Sequence, residues 1–218
     1  MSIKSKLDNL KSTIPSEVSL VVVSKMQDNQ RILEAYNAGH RIFGENKAQE
    51  LIAKQPDLPD DIEWHFIGHL QRNKVKYIAP FVKLIHSVDS LRLLKEVNKH
   101  ALKNERIIDY LLEFHIAEEE SKFGLSYDDA VGIIQNPDFS TLKNVNICGV
   151  MGMATFTEDH TQIRHEFQKL KKIFNVLKAQ FFSEKQDFKT LSMGMSKDYS
   201  LAIEEGSNMV RIGSAVFA

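Results

Sequence analysis

The stretch SLVVVSK, residues 19–25, decides how the chain is read. Leu20, Val21, Val22 and Val23 are apolar in succession, so the run has no polar side to offer solvent. That is the pattern of a parallel strand covered on both faces, whereas a half-exposed strand alternates. Working outward, β-rich runs at 20–25, 41–46, 62–68, 84–88, 109–117, 145–153, 189–195 and 209–214 are separated by helical patterns. The clearest helix is 161–178, where Ile163, Phe167, Leu170, Phe174 and Leu177 share one face and the other is charged. Strands and helices in this alternation predict an α/β fold, a single (β/α)8 barrel of the triosephosphate isomerase type spanning 1–218. An open doubly wound sheet is the alternative, weakened because no G-x-G-x-x-G follows the first strand. Past the eighth run only Ala215 to Ala218 remain for an outer helix. The N-terminal stripe Ile3, Leu7, Leu10 and Ile14 is expected to fill that slot.

Composition narrows the class. Of 218 residues 43% are hydrophobic and 26% charged, which suits a sizeable core. No membrane-spanning run and no signal peptide are expected. Cys148 is the one cysteine, in the apolar run NVNICGVM, so an intramolecular disulfide is excluded and a reducing, cytoplasmic setting with a structural thiol is expected. A net charge of −1 with both signs interspersed gives no footprint for nucleic acid. Lys169, Lys171, Lys172 and Lys178 accordingly read as a solvated helix face, and the small barrel is expected to be a monomer.

Barrel chemistry sits at the C-terminal ends of the strands, so the polar residues that close the apolar runs are the site candidates. Lys25, Asn46, His65, Ser87, Ser196 and Ser214 answer that description. At the end of LVVV the Lys25 amine is expected to enter a partly desolvated mouth, where the neutral, nucleophilic form is favoured. The competing account is a lysine snorkelling into solvent. In SMGMS and NMVRIGS, glycines and hydroxyls after the last two strands suit a phosphate cradle, with Ser196 as helix cap and phosphate donor. Ser196 as cap alone and Gly213 as turn residue alone is the rival reading. Arg211 shares a strand face with Gly213 and, if that face is inward, needs an acceptor there.

Taken together VVVSK, AGHRIFGENKAQE, WHFIGHLQRNK, IHSVDS, KFGL, GVMGMATF, LSMGMSKD and MVRIGSAVF resemble the pyridoxal phosphate homeostasis protein (YggS/PROSC) family, in its order and over nearly the whole chain. The resemblance implies a barrel related to the N-terminal domain of alanine racemase. It implies pyridoxal 5'-phosphate (PLP) held as a covalent imine on Lys25, Arg211 at the pyridine nitrogen, and Ser196, Gly213 and Ser214 around the phosphate. Asn46, His65, Ser87 and Met193 complete the cofactor-binding set it suggests. Three departures stand out: Lys47 in place of an aromatic residue, Ser214 in place of threonine, and no Gly-Glu-Arg-like tail after Ala218.

The family is described as governing cofactor supply without a settled enzymatic activity, so the expected partners are PLP and the PLP-dependent apoenzymes that receive it. Racemases of related fold use a second domain for one base, and the barrel is expected to consume all 218 residues. The rivals are a racemase or lyase using Tyr199 or His65 as acid/base, and an aldolase-like barrel with a sugar-phosphate imine on Lys25.

Overall fold

The computed structural model describes residues 1–119 and 123–218; Lys122, which opens the KFGL stretch, lies outside them. Among the described residues the strands are β1 (Ser19–Val23), β2 (Ile42–Glu45), β3 (Glu63–Phe66), β4 (Leu84–Val88), β5 (Ile108–Phe114), β6 (Val145–Gly152), β7 (Thr190–Ser192) and β8 (Met209–Ile212). The helices are α1 (Ile3–Thr13), α2 (Asn29–Asn37), α3 (Ala48–Lys54), α4 (Arg72–Ile78), α5 (Leu91–Lys103), α6 (Tyr127–Ile134), α7 (His160–Phe181), α8 (Tyr199–Glu204) and α9 (Ser214–Phe217). The strands pair in parallel in chain order and close into a barrel, with β8 returning to β1 from Ser19↔Met209 to Val22↔Ile212.

Each apolar run forms its strand, but all except 84–88 stop short of the C-terminal boundary read from the sequence. The polar residues that close those runs leave the hydrogen-bond ladder and enter the βα loops. Successive strand residues point to opposite sides, and this divides the apolar residues into two sets. Val22, Phe43, Ile85, Leu112, Val150, Leu191 and Val210 face the helices in the main core. Val21, Leu84, Leu111, Met151 and Met209 form a smaller cluster inside the barrel. One irregularity falls in β6, where pairing with β5 shifts between Tyr110 and Leu111. Gly149 there has φ +152°, and a Cβ would lie 1.8 Å from the Thr190 carbonyl oxygen, so no other residue fits. The bulge turns both Cys148 and Met151 toward the interior cluster.

Helix α7 runs slightly beyond the predicted 161–178, starting at the Asp159 carboxylate, which accepts from the N–H groups of Thr161 and Gln162. Its stripe of Ile163, Phe167, Leu170, Phe174 and Leu177 is buried as the spacing predicts. The N-terminal helix fills the eighth outer position: α1 buries Ile3, Leu7 and Leu10 and packs against α9 and α2. Thr13 reaches the Tyr199 hydroxyl at 3.3 Å, and Lys6 donates to the Ala218 carbonyl oxygen. No helix among the described residues is long and apolar enough to cross a membrane.

Phe167 is fully buried between α7 and the barrel. Phe167→Ala should lower unfolding free energy by about 3–5 kcal/mol, the usual cost of emptying an aromatic core site, as measured by chemical denaturation.

Candidate functional site

The C-terminal rim is assembled where β8 meets β1. A Cβ on Gly213 would lie 2.8 Å from the Val23 carbonyl oxygen, so the loop after β8 rests directly on the end of β1. From the other side, the Gly213 N–H donates to Ser196 Oγ at 3.3 Å, tying the loop after β7 to the loop after β8. Ser196, Gly213 and the exposed Ser214 thus surround the first turn of α9, whose leading N–H groups have no partner within the helix. Lys25 stands two residues beyond Val23, next to this group.

Two sequence expectations change here. Ser196 is not the helix cap: the loop runs two residues further, and Asp198 is the N-cap of α8 and accepts from the Met195 N–H. Lys25 is exposed, not sunk into a desolvated mouth. The chain leaves the ladder at Val23 and turns at once, with the Gln27 N–H on the Ser24 carbonyl oxygen at 3.0 Å. The next residue, Met26, has φ +62°, uncommon for a side chain with a Cβ.

Asn46 follows β2 and is half-buried beside the Lys25 turn, since the Ser24 N–H donates to the Gly44 carbonyl oxygen at 3.0 Å. Gly68 packs so tightly against Asn46 that a Cβ would sit 2.2 Å from its carbonyl oxygen. Ser87 supports this arrangement from behind, because its hydroxyl donates to the Gly68 carbonyl oxygen. Met193 does not join the site group. It follows the inward-facing Ser192, so alternation sends its side chain into the main core against the helices.

Inside the barrel a buried polar chain crosses from β3 to β8. Arg211 donates from Nη1 to Ser192 Oγ at 2.6 Å and from Nη2 to the Gly152 carbonyl oxygen at 3.0 Å. Ser192 Oγ lies 3.2 Å from His86 Nδ1, and His86 Nε2 lies 3.0 Å from His65 Nδ1. Desolvation pushes the His65 imidazole down to about 3 and His86 well below the usual range, so both rings are neutral. Arg211 can only donate; Ser192 therefore accepts from it and passes its own hydrogen to His86 Nδ1, and His86 passes one to His65. Burial also pulls the Arg211 guanidinium down to about 10, with Asp198 and Glu113 opposing. The expected inward acceptors of Arg211 are thus a serine and a backbone carbonyl.

His65 is consequently placed differently from the rim position expected of it. It lines a cavity of about 290 Å³ with Glu63, Lys83, Asp109, Cys148 and Lys189, at the N-terminal mouth, opposite Lys25. Cys148 is half-buried there and burial pushes its thiol up to about 12, in keeping with the structural role expected.

His86, Ser192 and Glu113 were not among the sequence candidates. The period-2 spacing Leu84, His86 places His86 inside once Leu84 is known to face inward, and the same argument covers Glu113 after Leu111. Glu113 is buried, and among the described residues its Oε2 has no hydrogen-bond partner. Burial, reinforced by Asp89 and opposed by Arg211, pushes its carboxyl up to about 7.

The rim fits a phosphorylated aldehyde. The start of α9 and two serine hydroxyls could meet an anion, an exposed primary amine lies alongside, and on the interior wall stand a buried guanidinium and the Glu113 Oε2, which has no partner among the described residues.

Glu113 sets a pH dependence. A folded-state carboxyl pushed up to about 7 from 4.5 binds its proton more tightly than in the unfolded chain, so its contribution is present below pH 4.5 and lost as pH rises through about 7. Glu113→Gln, permanently neutral, should gain stability relative to the parent across that window and level off above it, by at most about 3 kcal/mol. Denaturant unfolding of both proteins at matched pH values measures the difference; a constant offset would contradict it.

Comparison with known proteins gives a consistent family. The alanine racemase N-terminal domain family matches residues 1–218. The pyridoxal phosphate homeostasis protein of Aquifex aeolicus (strain VF5) is 39% identical over 199 residues, covering 91% of this chain and 85% of that protein. The protein of that name from Schizosaccharomyces pombe is 34% identical over 226 residues, covering 99% and 92%. Among solved structures, PipY of Synechococcus elongatus PCC7942 with PLP bound superposes with a TM-score of 0.90 at 34% identity, covering 100% of both chains. Alanine racemase of Clostridium difficile 630 shares the fold at a TM-score of 0.78 and 11% identity, covering 99% of this chain and 56% of that one. By its full-length match to the alanine racemase N-terminal domain and its identity to these relatives, the chain belongs to the family of pyridoxal phosphate homeostasis proteins.

Proposed function

We propose that this chain holds PLP at the C-terminal rim, linked as an imine to Lys25, and releases it to PLP-dependent apoenzymes as part of intracellular cofactor homeostasis. The observation that supports the reading is the junction of the loops after β7 and β8 on the end of β1, where the Ser196–Gly213 contact and the close approach of Gly213 to Val23 bring hydroxyl and backbone groups next to the turn that carries Lys25. The PLP-bound PipY relative supports the same ligand. Bound PLP supplies an electrophilic aldehyde and a conjugated ring. The Ser214 N–H with the Ser196 and Ser214 hydroxyls would hold the phosphate, with Gly213 letting the chain approach it closely, and Asn46 would border the ring. Arg211 would stand toward the pyridine nitrogen, where a fixed positive charge disfavours protonation and weakens the ring as an electron sink.

A carrier is favoured over a racemase by where the acid/base candidates lie. Tyr199 is engaged with Thr13 on α1, and His65 is buried against His86 at the other end of the barrel. Neither stands beside Lys25. An exposed Lys25 also leaves an incoming amine free to approach and exchange. We read the protein as one barrel domain over residues 1–218, acting as a cytoplasmic monomer.

Reduction of the loaded protein with borohydride and peptide mapping should place the adduct on Lys25, and Lys25→Ala should abolish the imine absorbance band while the fold persists. That band in the parent also excludes the aldolase-like alternative. Ser196→Ala should weaken PLP binding by about 1.5–3 kcal/mol, the worth of a hydrogen bond to a charged group. Mixed with an apo-aminotransferase, the loaded protein should restore transaminase activity without catalysing solvent deuterium exchange at Cα of amino acids. Rapid Cα exchange dependent on Lys25 would instead establish a racemase-like enzyme.

A further inference from the structure

A charged cluster lies behind the Lys25 turn, between β2 and α3. Glu45 faces outward from β2 and is fully buried. Lys54, at the end of α3, is also buried, and its Nζ donates to Glu45 Oε1 at 2.8 Å, to the Ser24 carbonyl oxygen at 2.9 Å and to Glu50 Oε2 at 3.3 Å. An ammonium has three hydrogens, so Lys54 is saturated and its charge is fixed in place. Ser24 Oγ adds a bond to the same Glu45 oxygen at 2.6 Å. Glu50 in turn accepts the Met26 N–H at 2.9 Å.

These contacts fall on the residue before Lys25 and the residue after it. Ser24 is held by its N–H, its hydroxyl and its carbonyl, and Met26, in its left-handed conformation, is held by its N–H. Lys25 makes no part of the cluster and is exposed. Two lysines near one turn are thereby given opposite chemistry: one is immobilised as an ammonium by carboxylates, the other is left free on a rigid backbone. Glu45 carries the cost, since burial pushes its carboxyl up against the pull of Lys54 and Ser24, and its Oε2 has no partner among the described residues.

We propose that Glu50, with Glu45 and Lys54, is a positioning group that fixes the backbone at Ser24 and Met26 and so aims Lys25 at the aldehyde of PLP; this rests on the assignment of Lys25 above. In the bond-forming step the neutral Lys25 amine adds to the aldehyde carbon and one water leaves, so no other reactant is needed. The amine must arrive at a defined angle, and a loosened turn spreads its approach over many geometries. Glu50 is the member to test, because its side chain is 26% exposed and its removal leaves the barrel core intact.

The experiment follows formation of the imine band after mixing PLP with the full-length apo-protein, together with amide hydrogen exchange at Met26 and the thermal midpoint. Glu50→Ala should slow imine formation at least ~10-fold, a conservative share of what misplacing a reacting group costs. It should also speed exchange at the Met26 amide. Glu50→Gln keeps an acceptor for that amide and should stay within about twofold of the parent in rate. Parental kinetics in Glu50→Ala, or a Gln variant as slow as the Ala variant, would overturn the positioning role. If the imine persisted in Lys25→Ala, the assignment of Lys25 would fail and take this inference with it. Loss of the imine there alongside parental kinetics in Glu50→Ala defeats the inference alone.

Discussion

Closure of the sheet, β8 onto β1, is the constraint from which the site follows. If the same strand order were left open between β8 and β1, those strands would lie at opposite edges, and Lys25 would be far from Gly213 and Ser214. Pairing Val22 with Ile212 brings the loops after those strands within contact, and Gly213 is small enough to lie on the Val23 carbonyl. The loop after β7 is drawn in by Ser196. Lys25 and the group of Ser196, Gly213 and Ser214, separated by almost the whole chain, become neighbours because the barrel has no edges.

The same closure creates an interior lined partly by polar side chains. Arg211, Ser192, His86 and His65 meet this by donating and accepting in series, ending at the N-terminal cavity. Such a chain is worth its burial only when nearly every member is satisfied. Glu113 is the exception, with an oxygen that has no partner among the described residues and a carboxyl pushed up to about 7 close to Arg211. Unpaired buried groups of this kind gather where a ligand is handled, and Glu113 stands on the strand that faces Arg211 across the barrel.

Much of the fold was legible in the sequence because burial on both faces of a strand forces a continuous apolar run, and eight such runs between helical stripes admit few arrangements. Lys25 and the Ser196, Gly213 and Ser214 group were legible for a related reason: barrel strands end in polar residues where the loops begin. The family motifs placed the same residues together, and the N-terminal stripe announced a helix that needed a barrel to cover.

Side-chain direction and long-range partnership were decided only by the tertiary structure. His65 and Met193 lie in motif-rich stretches, yet one faces the far cavity and the other the helices, because a single residue of register selects the side of the strand. Ser196 caps no helix, since the length of a loop, not the presence of a hydroxyl, sets where a helix starts. Lys54 was not among the sequence candidates; its burial against Glu45 and Ser24 arises from the packing of α3 on β1 and β2. Local sequence records which residues prefer strand, helix or turn, while the partners of a buried charge are chosen by elements that meet only after the chain has closed.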